Sequence, residues 1–245
     1  MLSARRRGRL RNEVGIDAGN EKIVCLANSR KHSGRCVAGK EVLVDGYGKW
    51  VRPVSARPSA EISEEERRYE NGVLPKVLDI IKIPMIGATP QLYQSENYVI
   101  DAEYYWVKKG ELSWPDIKQL IEKPGPLWTN NDSTYYGLND RVKIDLASKL
   151  PNSLMLIAPE DLTIKVVTEG GEFGNPRRRV RADFKHVGTH YSLIVTDPVA
   201  EQALLAKPNA EYQPKDTYLC ISLGEAHTDG SCYKLVATVI SKKPL

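Results

Sequence analysis

Asn28, Ser29, Arg30, Lys31, Arg35 and Lys40 follow directly on an apolar, strand-like run from Ile23 to Ala27. Arg and Lys neutralise phosphates, while Asn and Ser exchange hydrogen bonds with sugars and base edges. Gly34 and Gly39 fall among them. Without a Cβ they would let backbone N–H groups close on an anion. Trp50 and Arg52 come next, two residues apart and therefore on one face of a strand. An exposed Trp ring would stack on a base, and the guanidinium would hold the adjacent phosphate. The bland alternative is a core Trp with Arg52 at a barrel rim. Gln94 and Asn97 carry amides of the kind that read base edges. Glu96 between them is expected to orient Arg30 or Arg35. Arg177, Arg179 and Arg181 alternate through another strand-like run and would form a second surface that tracks a phosphate backbone. Its bland alternative is a charged, aggregation-resistant edge.

Catalytic templates fail on the same residues. The chain has no HExxH, no GxSxG and no Walker loop. Its histidines are His32, His186, His190 and His227. His186 and His190 stand four apart in an expected hairpin, where helix-face metal spacing does not apply. Asp79, Glu96, Asp101 and Glu103 are too dispersed to predict a metal set. No catalytic residue, metal or cofactor is therefore expected. The four cysteines form no CxxC pair, and Cys25 and Cys220 sit in apolar runs. They read as free thiols in a reducing cytoplasm.

The 245 residues carry a formal charge of +4, which is compatible with a polyanion partner. Distribution says more than the total. Arg5, Arg6, Arg7, Arg9 and Arg11 crowd the start, and Glu64, Glu65 and Glu66 form an acidic run. No apolar stretch is long enough to cross a bilayer, and the Arg-rich start lacks a signal peptide's apolar region. A soluble cytoplasmic protein with no membrane partner is the expectation.

The elements that must position these residues are mostly strands. Runs rich in Val, Ile, Leu, Thr and Tyr, bounded by Gly, Pro, Asn and Asp, predict strands over 22–27, 48–54, 76–83, 97–106, 141–145, 153–158, 161–168, 178–186, 190–196, 217–223 and 232–241. Helices are expected over 63–71, 113–123 and 198–207, opened by Ser63, Ser113 and Asp197. Such a pattern predicts sandwiches or small barrels. The expected layout is a flexible basic arm over 1–20, a first barrel with inserted loops and a helix over 21–150, and a second barrel over 151–245.

The run VCLANSRKHSGRCVAGKE, then WVRPVS, VLDII, QSENYVID, SLMLI, VTDP, ISLGE and YKLVATVI, resembles the prokaryotic dual OB-containing domain family over residues 22–241. The resemblance implies a mostly β chain: two small OB-like β-barrels in tandem with a few short helices. OB barrels commonly bind single-stranded nucleic acid or oligosaccharide on one face. The resemblance also implies a genome-defence setting. The function expected is thus non-enzymatic binding of nucleic acid, single-stranded for preference. The alternatives are a protein-binding adaptor subunit of a defence complex, and a nucleotide-like small-molecule sensor or enzyme with its site between the barrels.

Overall fold

The computed structural model describes residues 20–122 and 125–245. The expected basic arm, up to residue 19, lies outside them. Among the described residues are fourteen strands and three short α-helices. No helix among them is long and apolar enough to cross a membrane. The chain divides into two compact units, one ending at Leu120 and the other running Ile121–Leu245.

In the first unit β1 (Asn20–Lys31), β2 (Gly34–Leu43) and β3 (Gly46–Val54) form an antiparallel meander. β4 (Asp79–Ala88) and β5 (Asn97–Ile100) follow, and β6 (Val107–Glu111) adds to the outer edge of β4. β3 pairs with β5 in parallel, β5 with β4, and β4 returns to β1. The order 1-2-3-5-4-1 closes a five-stranded barrel with the OB connectivity. β1 reaches both neighbours by bending. Its first half pairs with β4, its second with β2, and the register with β2 shifts between Cys25 and Ala27. Between β3 and β4 lies α1 (Glu64–Arg67), opened by a capping box in which Ser63 and Glu66 hold each other's backbone N–H. Ile23, Cys25, Val37, Val51, Ile81, Ile83, Met85 and Ile100 fill the interior.

The second unit repeats the plan. β7 (Arg141–Lys143) and α2 (Ile144–Ala147) precede β8 (Leu154–Ile157) and β9 (Glu160–Glu169). β10 (Arg177–His186) and β11 (Thr189–Val195) complete a meander with β9. α3 (Pro198–Leu205), the short β12 (Glu211–Tyr212), β13 (Thr217–Leu223) and β14 (Ser231–Ser241) follow. β11 pairs with β14 in parallel, β14 with β13, and β13 with β8. β8 and β9 are two halves of one barrel strand, interrupted at Ala158–Pro159, where proline has no N–H for a ladder. This break does for the second barrel what the Cys25–Ala27 irregularity does for the first. Asp197 caps α3 through Val199 N and Ala200 N, and its other oxygen accepts from Val239 N.

Several expectations differ from the structure. The strand expected over 97–106 ends at Ile100, and the helix expected over 113–123 is a 3₁₀ helix, Trp114–Leu120. Asn28–Lys40 is not a loop: β1 and β2 are paired up to Lys31↔Gly34, and only His32 and Ser33 turn. The sequence placed the division near 150, whereas the segment from Leu127 onward docks on the second barrel. Leu127 lies in its core and its N–H donates to Tyr191 Oη at 3.0 Å. β7 pairs with β14.

Candidate nucleic-acid interface

On an OB barrel, ligands meet the outer face of the second and third strands and the loops beside it. In the first barrel that face belongs to β2 and β3. The 3₁₀ helix Trp114–Leu120 rests on β3, with Ile117 and Leu120 buried. Trp50 is 7% exposed, with Lys40 Nζ 5.6 Å from its ring centre. Arg52 is 3% exposed, and its Nη2 lies 3.4 Å from Glu96 Oε1. Glu96 is thus a partner of Arg52. Gln94 and Asn97 are also buried, and Asn97 Nδ2 donates to Gln94 Oε1 at 3.3 Å. This quartet is interior scaffolding where β3 and β5 run in parallel, with Arg52 opposite Asn97. It is not a surface for bases and phosphates in this conformation.

The glycines also serve the fold. A Cβ on Gly39 would run into Val24 O, and one on Gly34 would sit 2.6 Å from Ile62 O. Gly39 lets β2 close on β1, and Gly34 lets β2 close on the segment at Ile62. Asn28 is half-buried and donates to Pro75 O at 3.0 Å, and Ser29 is buried. Arg30 and Arg35 face each other across the hairpin beside Lys31, with Arg30 exposed. The cations of the opening motif therefore gather at the hairpin tip.

The second barrel places its cations at the same connection. Val180, Ala182 and Phe184 point into the core, so Arg177, Arg179, Arg181, Asp183 and Lys185 point out. Arg181 is ion-paired with Glu169, Lys165 with Asp183 at 2.6 Å, and Lys185 with Asp161 at 2.8 Å. The bond to Asp183 holds the Lys165 ammonium above its ordinary pKa. Arg177 bonds only the neutral Asn175 amide, at 3.2 Å. The Arg179 side chain has no hydrogen bond or ion pair among the described residues. Lys165 has a second carboxylate, Glu211, at 3.3 Å. Of the arginines pointing out from β10, Arg177 and Arg179 have no carboxylate within ion-pair distance among the described residues.

Aromatic rings flank them. The β9–β10 turn holds Phe173, 67% exposed, and Tyr135, 72% exposed, meets it edge-on at 5.5 Å. Tyr136 anchors this corner: Gly170 N donates to its hydroxyl, which in turn donates to Glu172. That bond keeps the Glu172 carboxyl below its usual range. The segment 131–140 then runs along β11, where Leu138 and Ser192 exchange backbone bonds at 3.1 Å each way. Together with the β13–β14 loop it borders a cleft of about 320 Å³ over Arg181, Ile194 and Leu235. Sequence reasoning found the arginines by their alternation. It missed Tyr135, Phe173 and the cleft, which are assembled from segments far apart in the chain.

A family model described as the dual OB-containing domain matches residues 21–239. The chain belongs to the dual OB-containing domain family. No curated protein and no solved structure matches it. Membership and connectivity agree: each unit of this dual OB protein is a binding-module barrel in the OB order.

Proposed function

We propose that this dual OB protein binds nucleic acid without catalysing a reaction, and that a single strand lies along the outer face of β10. The observation that carries the proposal is the pair Arg177 and Arg179, which have no carboxylate partner, beside the exposed rings of Tyr135 and Phe173. The cations meet phosphates and the rings stack on bases, a combination suited to single strands. The tip with Arg30, Lys31 and Arg35 supplies further phosphate contacts on the first barrel. A genome-defence setting is part of the proposal and rests on the family resemblance alone.

The test is fluorescence anisotropy with labelled single- and double-stranded DNA and RNA, between about 50 and about 200 mM salt. Single strands should bind best and weaken steeply with salt. The double variant Arg177→Ala/Arg179→Ala should lower the salt slope by about 1.4, from about 0.7 per phosphate contact on a single strand. Salt-independent affinity, or an unchanged slope in the variant, would overturn the proposal.

A second reading draws on the first barrel. A cavity of about 630 Å³ lies beside Trp106 and the buried Asp79, which accepts from Tyr69 Oη at 2.7 Å and Lys76 N at 3.0 Å. That volume suits a small-molecule ligand. A melting-temperature rise with mononucleotides but not with single strands would favour it.

A further inference from the structure

The cleft at the end of the arginine face has features that phosphate tracking does not require. Its floor is a row running in register across three strands: Arg181 opposite Ile194, and Ile194 opposite Leu235. Asp140 lines it from the 131–140 segment, and Gly224 and Tyr233 line it from the β13–β14 side. Its volume of about 320 Å³ falls at the small end of ligand pockets, which span about 300–1,000 Å³.

The charged groups lining the cleft are Arg181, Asp140, Glu225 and Lys234, of which Lys234 Nζ is held by Thr129 O and Asn130 Oδ1. Arg181 and Asp140 keep bonding capacity toward the floor. Arg181 is 9% exposed. Its Nε and Nη2 are engaged by the two oxygens of Glu169, and its buried Nη1 has no partner. A buried N–H without an acceptor is a cost that an incoming acceptor removes. Asp140 is 6% exposed. Its Oδ1 accepts from Thr134 N at 2.7 Å and its Oδ2 from Thr134 Oγ1 at 2.6 Å. Each oxygen keeps a further lone pair. Ile194 and Leu235 supply an apolar surface for a ring between them.

A donor-only group, an acceptor-only group and an apolar floor match the edge and face of a base. Among the four bases, guanine alone sets a carbonyl acceptor next to two parallel N–H donors, the set that a guanidinium and a carboxylate recognise together. We propose that this cleft takes one unstacked guanine from the strand that follows Arg177 and Arg179. This rests on the nucleic-acid reading of the same face.

The test compares the whole protein's affinity for a thymidine oligonucleotide with that for the same oligonucleotide carrying one central guanine, adenine or cytosine. Guanine should raise affinity about tenfold over thymidine, within the range of one base-edge recognition. Gly224→Leu puts a side chain in the cleft mouth. A Cβ there meets Leu235 and Tyr233 at an ordinary 3.4 Å, so the backbone accommodates it. This variant should bring the guanine ratio near one. Asp140→Asn, which replaces one acceptor with a donor, should do the same and serves if the first variant folds poorly. Arg177→Ala should weaken all four oligonucleotides together and keep the ratio. If oligonucleotides bind with no guanine preference, or the preference survives both cleft variants, the guanine cleft is wrong while the strand-binding face stands. If no oligonucleotide binds at all, the underlying function is wrong.

Discussion

Lys234 is a buried amine whose titration should be visible in the stability of the second barrel. Its residue is 1% exposed, and it alternates with Val236, which lies in the barrel core. Nζ donates to Thr129 O at 2.6 Å and Asn130 Oδ1 at 3.0 Å, and lies 5.2 Å from the Tyr191 ring centre. Burial pushes its pKa from 10.5 down to about 7, against the upward pull of Asp140 and Asp132. A neutral amine still has the two N–H bonds that these acceptors use. Between about 7 and about 10.5 the unfolded chain holds a proton that the native chain has released. Stability therefore rises with pH across that window, and below it the native state bears a buried charge. Lys234→Met keeps the chain length and removes the titration. From about pH 6 to about pH 9 the wild type should gain about 3 kcal/mol on the variant, from about 1.4 kcal/mol per pH unit where the protonation states differ fully. Urea unfolding followed by tryptophan fluorescence, at several pH values in that range, measures the difference. Trp128 reports on this unit, its Nε1 bonded to Asn152 O at 3.1 Å. Stability curves of wild type and variant that run parallel with pH would refute the reasoning.

Arg52→Met should destabilise the chain by about 3–5 kcal/mol, because Glu96 is left buried without its guanidinium. Adding Glu96→Leu should recover part of that, and a denaturation cycle in which the two single costs simply add would sink the pairing. Gly39→Ala forces a Cβ into Val24 O between β1 and β2, so it should cost at least about 1–3 kcal/mol; an unchanged melting temperature would contradict the close strand approach. Cys36 is half-buried, whereas Cys25, Cys220 and Cys232 are buried. Burial, aided by Asp79, pushes the Cys25 thiol up to about 12. A thiol reagent should therefore modify one cysteine quickly in native protein and four after unfolding, and two fast equivalents would count against this burial pattern.

Local pattern carried most of the fold. Residues 178–186 and 190–196 read as strands because apolar and polar side chains alternate, and β10 and β11 stand there. β2 was illegible for a physical reason. It carries Arg35, Lys40 and Glu41 and two glycines, and its turn is His32–Ser33, which lacks the usual hairpin glycine. The same spacing rule placed Trp50 and Arg52 on one face, correctly. It could not say that both would be buried, since the partner that holds Arg52 there, Glu96, lies in a segment distant in sequence. For Arg177, Arg179 and Arg181 the alternation gave the direction of the side chains. Their standing as free or neutralised charges depended on Glu169, which a turn of seven residues brings opposite Arg177.

The two barrels share a connectivity and differ in what is left outside it. Each sets basic side chains at the hairpin between its first two barrel strands: Arg30, Lys31 and Arg35 in one, Arg177 and Arg179 in the other. In the first, the 3₁₀ helix Trp114–Leu120 rests on β3, and Arg52 is neutralised by Glu96. In the second, residues 131–140 border the face, leaving a cleft open beside exposed aromatics. Phosphate attraction is long-ranged and tolerant of position, whereas stacking and base-edge bonding require open apolar area and fixed donors. On the proposed function, the first barrel would add affinity, and the second would add both affinity and choice among bases.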